Sequence, residues 1–185
     1  MNLFVNFLLY QLGWLAAVIG AAQQLPWLGP VAMLIVVAWH LYRSRYPQPE
    51  LMLVVVCACI GAVFDSVLVA FNWVSYPSGL FSDSMAPYWI ISMWMMFATT
   101  LNVSMRWLKG RPLLAVVLGA IAGPLAYLAG QKLGGIIFVD SQAALLSLAV
   151  GWGVMMPVLM SLAERFNGFG EDSPARRRDV AMEVG

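Results

Sequence analysis

Six apolar runs separated by short polar breaks dominate the chain. They cover about residues 3–22, 27–42, 50–74, 87–111, 113–129 and 143–162. A helix needs about 20 mainly apolar residues to cross a bilayer, and most of these runs reach that length. The breaks are rich in turn formers: Gln23-Gln24-Leu25-Pro26, the polar stretch Arg43 to Pro49 with two prolines, residues 75–86, Gly110-Arg111-Pro112, and residues 131–140. The pattern predicts an all-α polytopic membrane protein, a compact bundle of about six transmembrane helices.

The fourth run is not uniformly apolar. Tyr88, Ser92, Thr99, Asn102 and Arg106 recur at steps of four, seven, three and four, with Met95 filling the gap. That spacing places them on one helical face. Polar groups in lipid must face other helices or a cavity, so this run is expected at the centre of the bundle. The third run carries Asp65, the only acidic residue deep in any run, with Gly61 and Asn72 on the same face. Counted down from the loop that joins the two runs, Asp65 lies at the depth of Met95, between Ser92 and Thr99. Tyr88, Ser92 and Thr99 are therefore its expected partners. The carboxyl group has two readings: a catalytic, proton-handling or substrate-orienting group, or a hydrogen-bonded pin that sets helix register.

The end of the second run and the end of the fourth supply another cluster: His40 and Arg43 with Asn102, Ser104 and Arg106. Arg43, Asn102 and Arg106 form a candidate site for an anionic lipid headgroup. His40, the single histidine, is a candidate general acid or base beside it. The competing reading is ordinary basic flanking of membrane helices, with His40 at the interface. The fifth run places Gly119 and Gly123 four residues apart, a spacing that lets helices approach closely, and Pro124 interrupts it. Packing explains these residues; a bent helix opening a lipid cavity is the alternative. Tyr88, Ser92, Thr99 and Tyr127 would line such a cavity between spans three, four and five.

Composition narrows the picture. The chain is 62% hydrophobic and 10% charged, against about 25% charged in soluble domains. Residues 1–166 are expected to form the membrane domain, and 167–185 a charged, disordered cytoplasmic tail. Lys and Arg fall almost wholly on one side of a six-span arrangement, with Lys132 alone on the other. Both termini should then be cytoplasmic, with the 75–86 and 131–140 loops outside. The N-terminal run has no Lys or Arg before it and is expected to be retained as a span. A net charge of +1 without a basic face argues against nucleic acid. Cys57 and Cys59 lie on different faces of one helix, and one histidine cannot build a metal site with them. No metal or cofactor is expected.

Several segments resemble a bacterial family of small inner-membrane proteins of unknown function, DUF2878. They are Pro87-Tyr88-Trp89-Ile90, Met93-Trp94, Phe97 to Leu101, Ser104 to Leu108, and Gly123-Pro124-Leu125-Ala126-Tyr127 followed by Gly130 and Leu133-Gly134. The resemblance runs to about Phe166. It implies a multi-span protein of the bacterial cytoplasmic membrane and supplies no activity and no catalytic residues. Genes for fatty-acid modification found beside such genes point toward lipids. The reading reached here is a protein that binds or processes a lipid or fatty-acyl ligand in an intramembrane cavity. Its partners would be membrane lipids and a membrane protein. A non-catalytic scaffold subunit of a membrane complex is the first alternative. A small proton-coupled transporter is the second, weakened by the lack of an internal repeat.

Overall fold

A computed structural model describes residues 2–82 and 84–170. The fold is all-helical. In chain order it has α1 (Leu3–Ala22), α2 (Leu28–Arg43), α3 (Pro47–Ala70), β1 (Val74–Ser75), α4 (Tyr88–Leu101), α5 (Pro112–Lys132), β2 (Ile137–Phe138) and α6 (Ser141–Arg165). A single 3-10 turn, Arg106–Leu108, lies between α4 and α5. Four helices, α1, α3, α5 and α6, are long and apolar enough to cross a membrane. The other two are shorter. The 16 residues of α2 and the 14 of α4 span only about 24 Å and 21 Å at about 1.5 Å per residue.

Helix α4 is the hub. It packs on α1, α2 and α3 and touches α6. Trp89, Ile90, Met96, Ala98, Thr99 and Leu101 are all sealed from solvent, so α4 is buried on nearly every side and not along one stripe. Its polar residues need no outside partner. The hydroxyls of Ser92, Thr99 and Thr100 donate to the carbonyls of Tyr88, Met96 and Phe97, three or four residues back in the same helix.

The fourth apolar run was expected to stay helical to about residue 111, and it stops at Leu101. Asn6 on α1 caps the break. Its amide donates to the Thr99 carbonyl at 3.1 Å and accepts from the Ser104 backbone at 3.2 Å. Thr99, Thr100, Asn102 and Ser104 are all weak helix formers, whose side chains compete for the backbone. Arg106 consequently leaves the face that its spacing assigned to it. Asn72 does likewise, since α3 ends at Ala70 and Asn72 turns with φ +56°.

Helices α5 and α6 form a tight pair. A Cβ on Gly119 would meet the Trp152 carbonyl, and one on Gly123 would run into the Trp152 ring. This pair joins α1–α4 through α3 and α4 and through a strand pairing, Val74 with Phe138 and Ser75 with Ile137. The pairing puts the α3–α4 and α5–α6 connections at one end of the bundle. At the other end Asn102 donates to the Phe166 carbonyl, and Arg45 and Tyr46 donate to that of Gly168. The bases Arg43, Arg45, Arg106, Lys109, Arg111 and Arg165 belong to this second end, and Lys132 to the first. Residues 167–170 fold back onto the start of α3. Of the expected disordered tail, 167–185, residues 171–185 lie outside the described residues.

Gly61 is where α3 and α4 come closest, because the Trp94 indole fills the space a side chain would take. Gly61→Val is expected to lower stability by about 1–3 kcal/mol, read as the unfolding midpoint of the detergent-purified protein. Val63→Leu, on the outward face of α3, should leave that midpoint unchanged.

Candidate functional site

Two acidic residues on α3 are fully enclosed, and each organises one end of the bundle. Asp65 is 0% exposed. Its Oδ1 accepts from the Tyr76 hydroxyl at 2.7 Å and the Tyr127 hydroxyl at 2.6 Å. Its Oδ2 accepts from the Trp94 indole N–H at 2.7 Å. Three donors and no acceptor suit a carboxylate, which can only accept. The donors come from the α3–α4 loop, from α4 and from α5, so one side chain ties three segments to α3.

None of the expected partners reaches Asp65, and Tyr127, expected only as a cavity-lining residue, does. Tyr88, Ser92 and Thr99 do not, since the two hydroxyls back-bond within α4 and Tyr88 packs on Phe81. Trp94 and Tyr76 take their place. Tryptophan N–H groups carry no polar signature in an apolar run, and Tyr76 sits in a loop, so the periodicity of the runs does not mark them.

The second acid is Glu50, 1% exposed, in the first turn of α3. Its Oε2 lies 2.8 Å from His40 Nε2. Its Oε1 accepts from Asn102 Nδ2 at 2.8 Å and from the Gly168 backbone at 2.6 Å. Lys109 donates to Asn102 Oδ1 at 2.5 Å. Burial pushes the Lys109 ammonium below the ordinary lysine range, against the upward pull of Glu50 and Glu164. His40, also 1% exposed, packs its ring against Phe169, and its Nδ1 has no partner among the described residues. Of the residues expected to gather round a headgroup, His40 and Asn102 therefore come together on Glu50. Arg43 instead lies over the Trp39 ring, 6.0 Å from its centroid. Arg106 is exposed on the 3-10 turn. Glu50 is invisible to helix periodicity because it stands at the boundary between a polar loop and an apolar run.

A cavity lies apart from both centres. Helix α1 packs on α2 and α4, and α5 packs on α6, but α1 and α5 are not packed on each other. Between them runs a cleft of about 630 Å³. Phe7, Ser104 and Trp107 line its basic end, Ala122 and Ala126 its flank, and Phe97 and Trp152 its floor. No charged residue lines it. The cleft was expected between spans three, four and five; α3 contributes nothing to its wall, and α1 and α6 do. It continues into a smaller recess whose wall includes Trp94 and Tyr127. Tyr88, Ser92, Thr99 and Asp65 line neither. The floor is an aromatic stack. Trp94 and Trp152 lie face to face at 4.7 Å and 13°, and Phe97 meets both edge-on. Among the described residues no cluster of three or more His, Cys, Asp or Glu could hold a metal ion.

A sequence model of one family, described as a protein of unknown function (DUF2878), matches residues 3–158. No curated protein and no solved structure matches the chain.

Asp65→Ala would strand three buried donors in an apolar setting, each costing about 1–3 kcal/mol. The expected loss is therefore about 3 kcal/mol or more. Tyr127→Phe, which removes one donor, should cost about 1 kcal/mol. Thermal unfolding of the purified variants gives both values, and an unchanged midpoint for Asp65→Ala would show that the network holds nothing together.

Proposed function

This chain belongs to the DUF2878 family, and because that description carries no activity, we propose a function from the cleft itself: binding of a lipid or fatty-acyl ligand inside the membrane. One observation carries the reading. The cleft between α1 and α5 is apolar, uncharged along its lining and open between two helices that are not packed on each other. Its volume falls within the range of about 300–1,000 Å³ typical of small-molecule sites. The outward residues of both flanking helices, Phe4, Leu8 and Leu12 on α1 and Val117, Ile121 and Leu125 on α5, are apolar and exposed. In a bilayer these faces meet acyl chains, so an acyl chain enters the cleft sideways without crossing water.

The two buried acids are frame and not wall in this reading. Asp65 fixes Tyr127 and Trp94, which bound the recess. Glu50 fixes the break after α4, from which Ser104 and Trp107 reach the cleft. Arg106, next to Trp107 in sequence, is the member of the expected headgroup set that belongs to this mouth. We also propose that all six helices cross the membrane, with both termini and the basic end in the cytoplasm of a bacterial cell. The placement of basic residues at one end supports this.

Ala126 lines the cleft and is exposed to it. Ala126→Trp should fill the space without disturbing the core. The wild-type protein, purified in detergent, is expected to retain a lipid that mass spectrometry detects and that Ala126→Trp lacks at equal thermal stability. Equal lipid content in the two would remove the cleft as a ligand site. A lipid-free wild type that Ala126→Trp converts from dimer to monomer would assign the cleft to a second copy of the chain.

Topology is read separately, by labelling single cysteines with a membrane-impermeant thiol reagent in whole cells after Cys57 and Cys59 are replaced. A cysteine at Lys132 should react from outside and one at Arg111 should not. The reverse pattern would overturn the orientation.

A further inference from the structure

Polar groups are spread unevenly along the cleft. Aromatic rings aside, its polar side chains are Gln11 on α1, Thr100 at the end of α4 and Ser104 in the break that follows, all towards the basic end. Beyond them the lining is Trp14, Ala126, Ala129 and Trp152. The Thr100 hydroxyl is already used, since it donates to the Phe97 carbonyl at 2.7 Å. The Gln11 amide and the Ser104 hydroxyl are not. Both residues are partly exposed on the cleft wall, and neither side chain has a hydrogen-bond partner among the described residues. The bond between Ser104 and Asn6 uses the Ser104 backbone N–H.

Gln11 lies eight residues inside the start of α1, a depth of about 12 Å at about 1.5 Å per residue. An amide at that depth in a bilayer has no bulk water to bond, and polar residues placed there face cavities and mark sites. Asn6 meets Ser104 and stands five residues before Gln11, so Gln11 lies about 7 Å further into the cleft than Ser104 at about 1.5 Å per residue. The two groups bracket a short polar segment, with an apolar trough beyond it. No charged residue lines the cleft, so the group held between them is uncharged. An amide and a hydroxyl each donate and accept. A free hydroxyl on the ligand answers both roles, whereas an ester carbonyl only accepts. Size sets the rest. With a methylene group counted as water-sized, about 30 Å³, a cleft of about 630 Å³ takes about 20 heavy atoms. That is enough for one acyl chain and a small head, and too little for two chains.

We infer that the ligand is a lipid with one acyl chain and a free glyceryl hydroxyl, held with its head at the basic end, and that Gln11 and Ser104 select it. This rests on the reading of the cleft as a lipid site. The acyl chain lies along Ala126 and Trp152. A neutral monoacylglycerol and a lysophospholipid share this chemistry and differ by a phosphate. That phosphate would lie outside Ser104, on the side of the exposed Arg106.

The test uses the full chain in phosphatidylcholine vesicles and two photoactivatable probes, a 1-acylglycerol and a plain hydrocarbon of the same length, each with a diazirine near the end of its chain. Mass spectrometry maps their cross-links to cleft residues. The competitors against the glyceryl probe are 1-palmitoylglycerol, palmitoyl lysophosphatidate, methyl palmitate and hexadecane. One or both of the hydroxyl lipids should suppress its cross-link at roughly tenfold lower concentration than methyl palmitate or hexadecane. The stronger of the two identifies the neutral or the phosphorylated source. Gln11→Leu keeps the bulk of the side chain and deletes the amide. It should weaken labelling by the glyceryl probe roughly five- to tenfold, as expected for one buried hydrogen bond, and leave labelling by the hydrocarbon probe as in the wild type. Thermal unfolding establishes that the variant is folded, and Ser104→Ala serves as the second variant if Gln11→Leu is not. Methyl palmitate competing as well as both hydroxyl lipids, or a folded variant that the glyceryl probe labels like the wild type, overturns the hydroxyl subsite while cleft labelling leaves the lipid site in place. Absence of cleft labelling by either probe overturns both.

Discussion

A carboxylate at the middle of an apolar bundle is tolerable only when its oxygens are met by donors, and Asp65 meets that demand with three segments of chain. The need for Tyr76 draws the α3–α4 loop inward over the end of the bundle. The need for Trp94 brings α4 against α3, and Gly61 leaves the room for its indole. The need for Tyr127 brings in α5, and with it α6. Without Asp65 the α5–α6 pair would be joined to α1–α4 by ring stacking, a two-residue strand pairing, a modest contact of α6 with α3, and the bonds of Glu50, Asn102, Arg45 and Tyr46 to residues 166–168. Burying one acid thus costs desolvation and gains a defined arrangement of three helices and a loop.

Glu50 does related work at the other end of the same helix, 15 residues from Asp65, or about 22 Å along the axis at about 1.5 Å per residue. It collects His40 from α2, Asn102 from the break after α4, and Gly168 beyond α6. Helix α3 therefore acts as a post with a polar joint at each end, and the cleft opens on the far side of α4 from it. The carboxylate oxygens of both joints are met by internal partners. Neither faces the cleft, and this is why the lining carries no charge although two carboxylates lie inside the protein.

Much of this was legible in the chain. The apolar runs mark six helices with bounds within a few residues, except where α4 stops. The acid at position 65 stands out because no other charged residue lies deep in its run, but its link to Tyr127 was not expected. The rest was hidden for definite physical reasons. Helical spacing assigned Ser92 and Thr99 to Asp65, but small hydroxyls satisfy themselves on their own helix. Indole N–H groups look apolar in a hydropathy pattern, which concealed Trp94. Asn6, a single amide near the start of α1, ends α4 some 95 residues away in sequence, and no local pattern reports such a contact. The position of the cleft follows from which helices are not packed on each other, and that is a property of the whole packing.

The short strand β1 has a meaning for biogenesis. A ribosome delivers the N-terminal part first, so α1 to α4 reach the membrane while α5 and α6 are still being made. At that stage Asp65 holds Tyr76 and Trp94 but lacks Tyr127, and the edge of Val74 and Ser75 has no partner. The nascent four-helix unit is an unfinished socket, with one oxygen partly unsatisfied and one strand open. Arrival of the last hairpin completes both together, since Tyr127 and β2 stand on α5 and on the turn that follows it. Insertion of the final two helices and maturation of the core are then a single event.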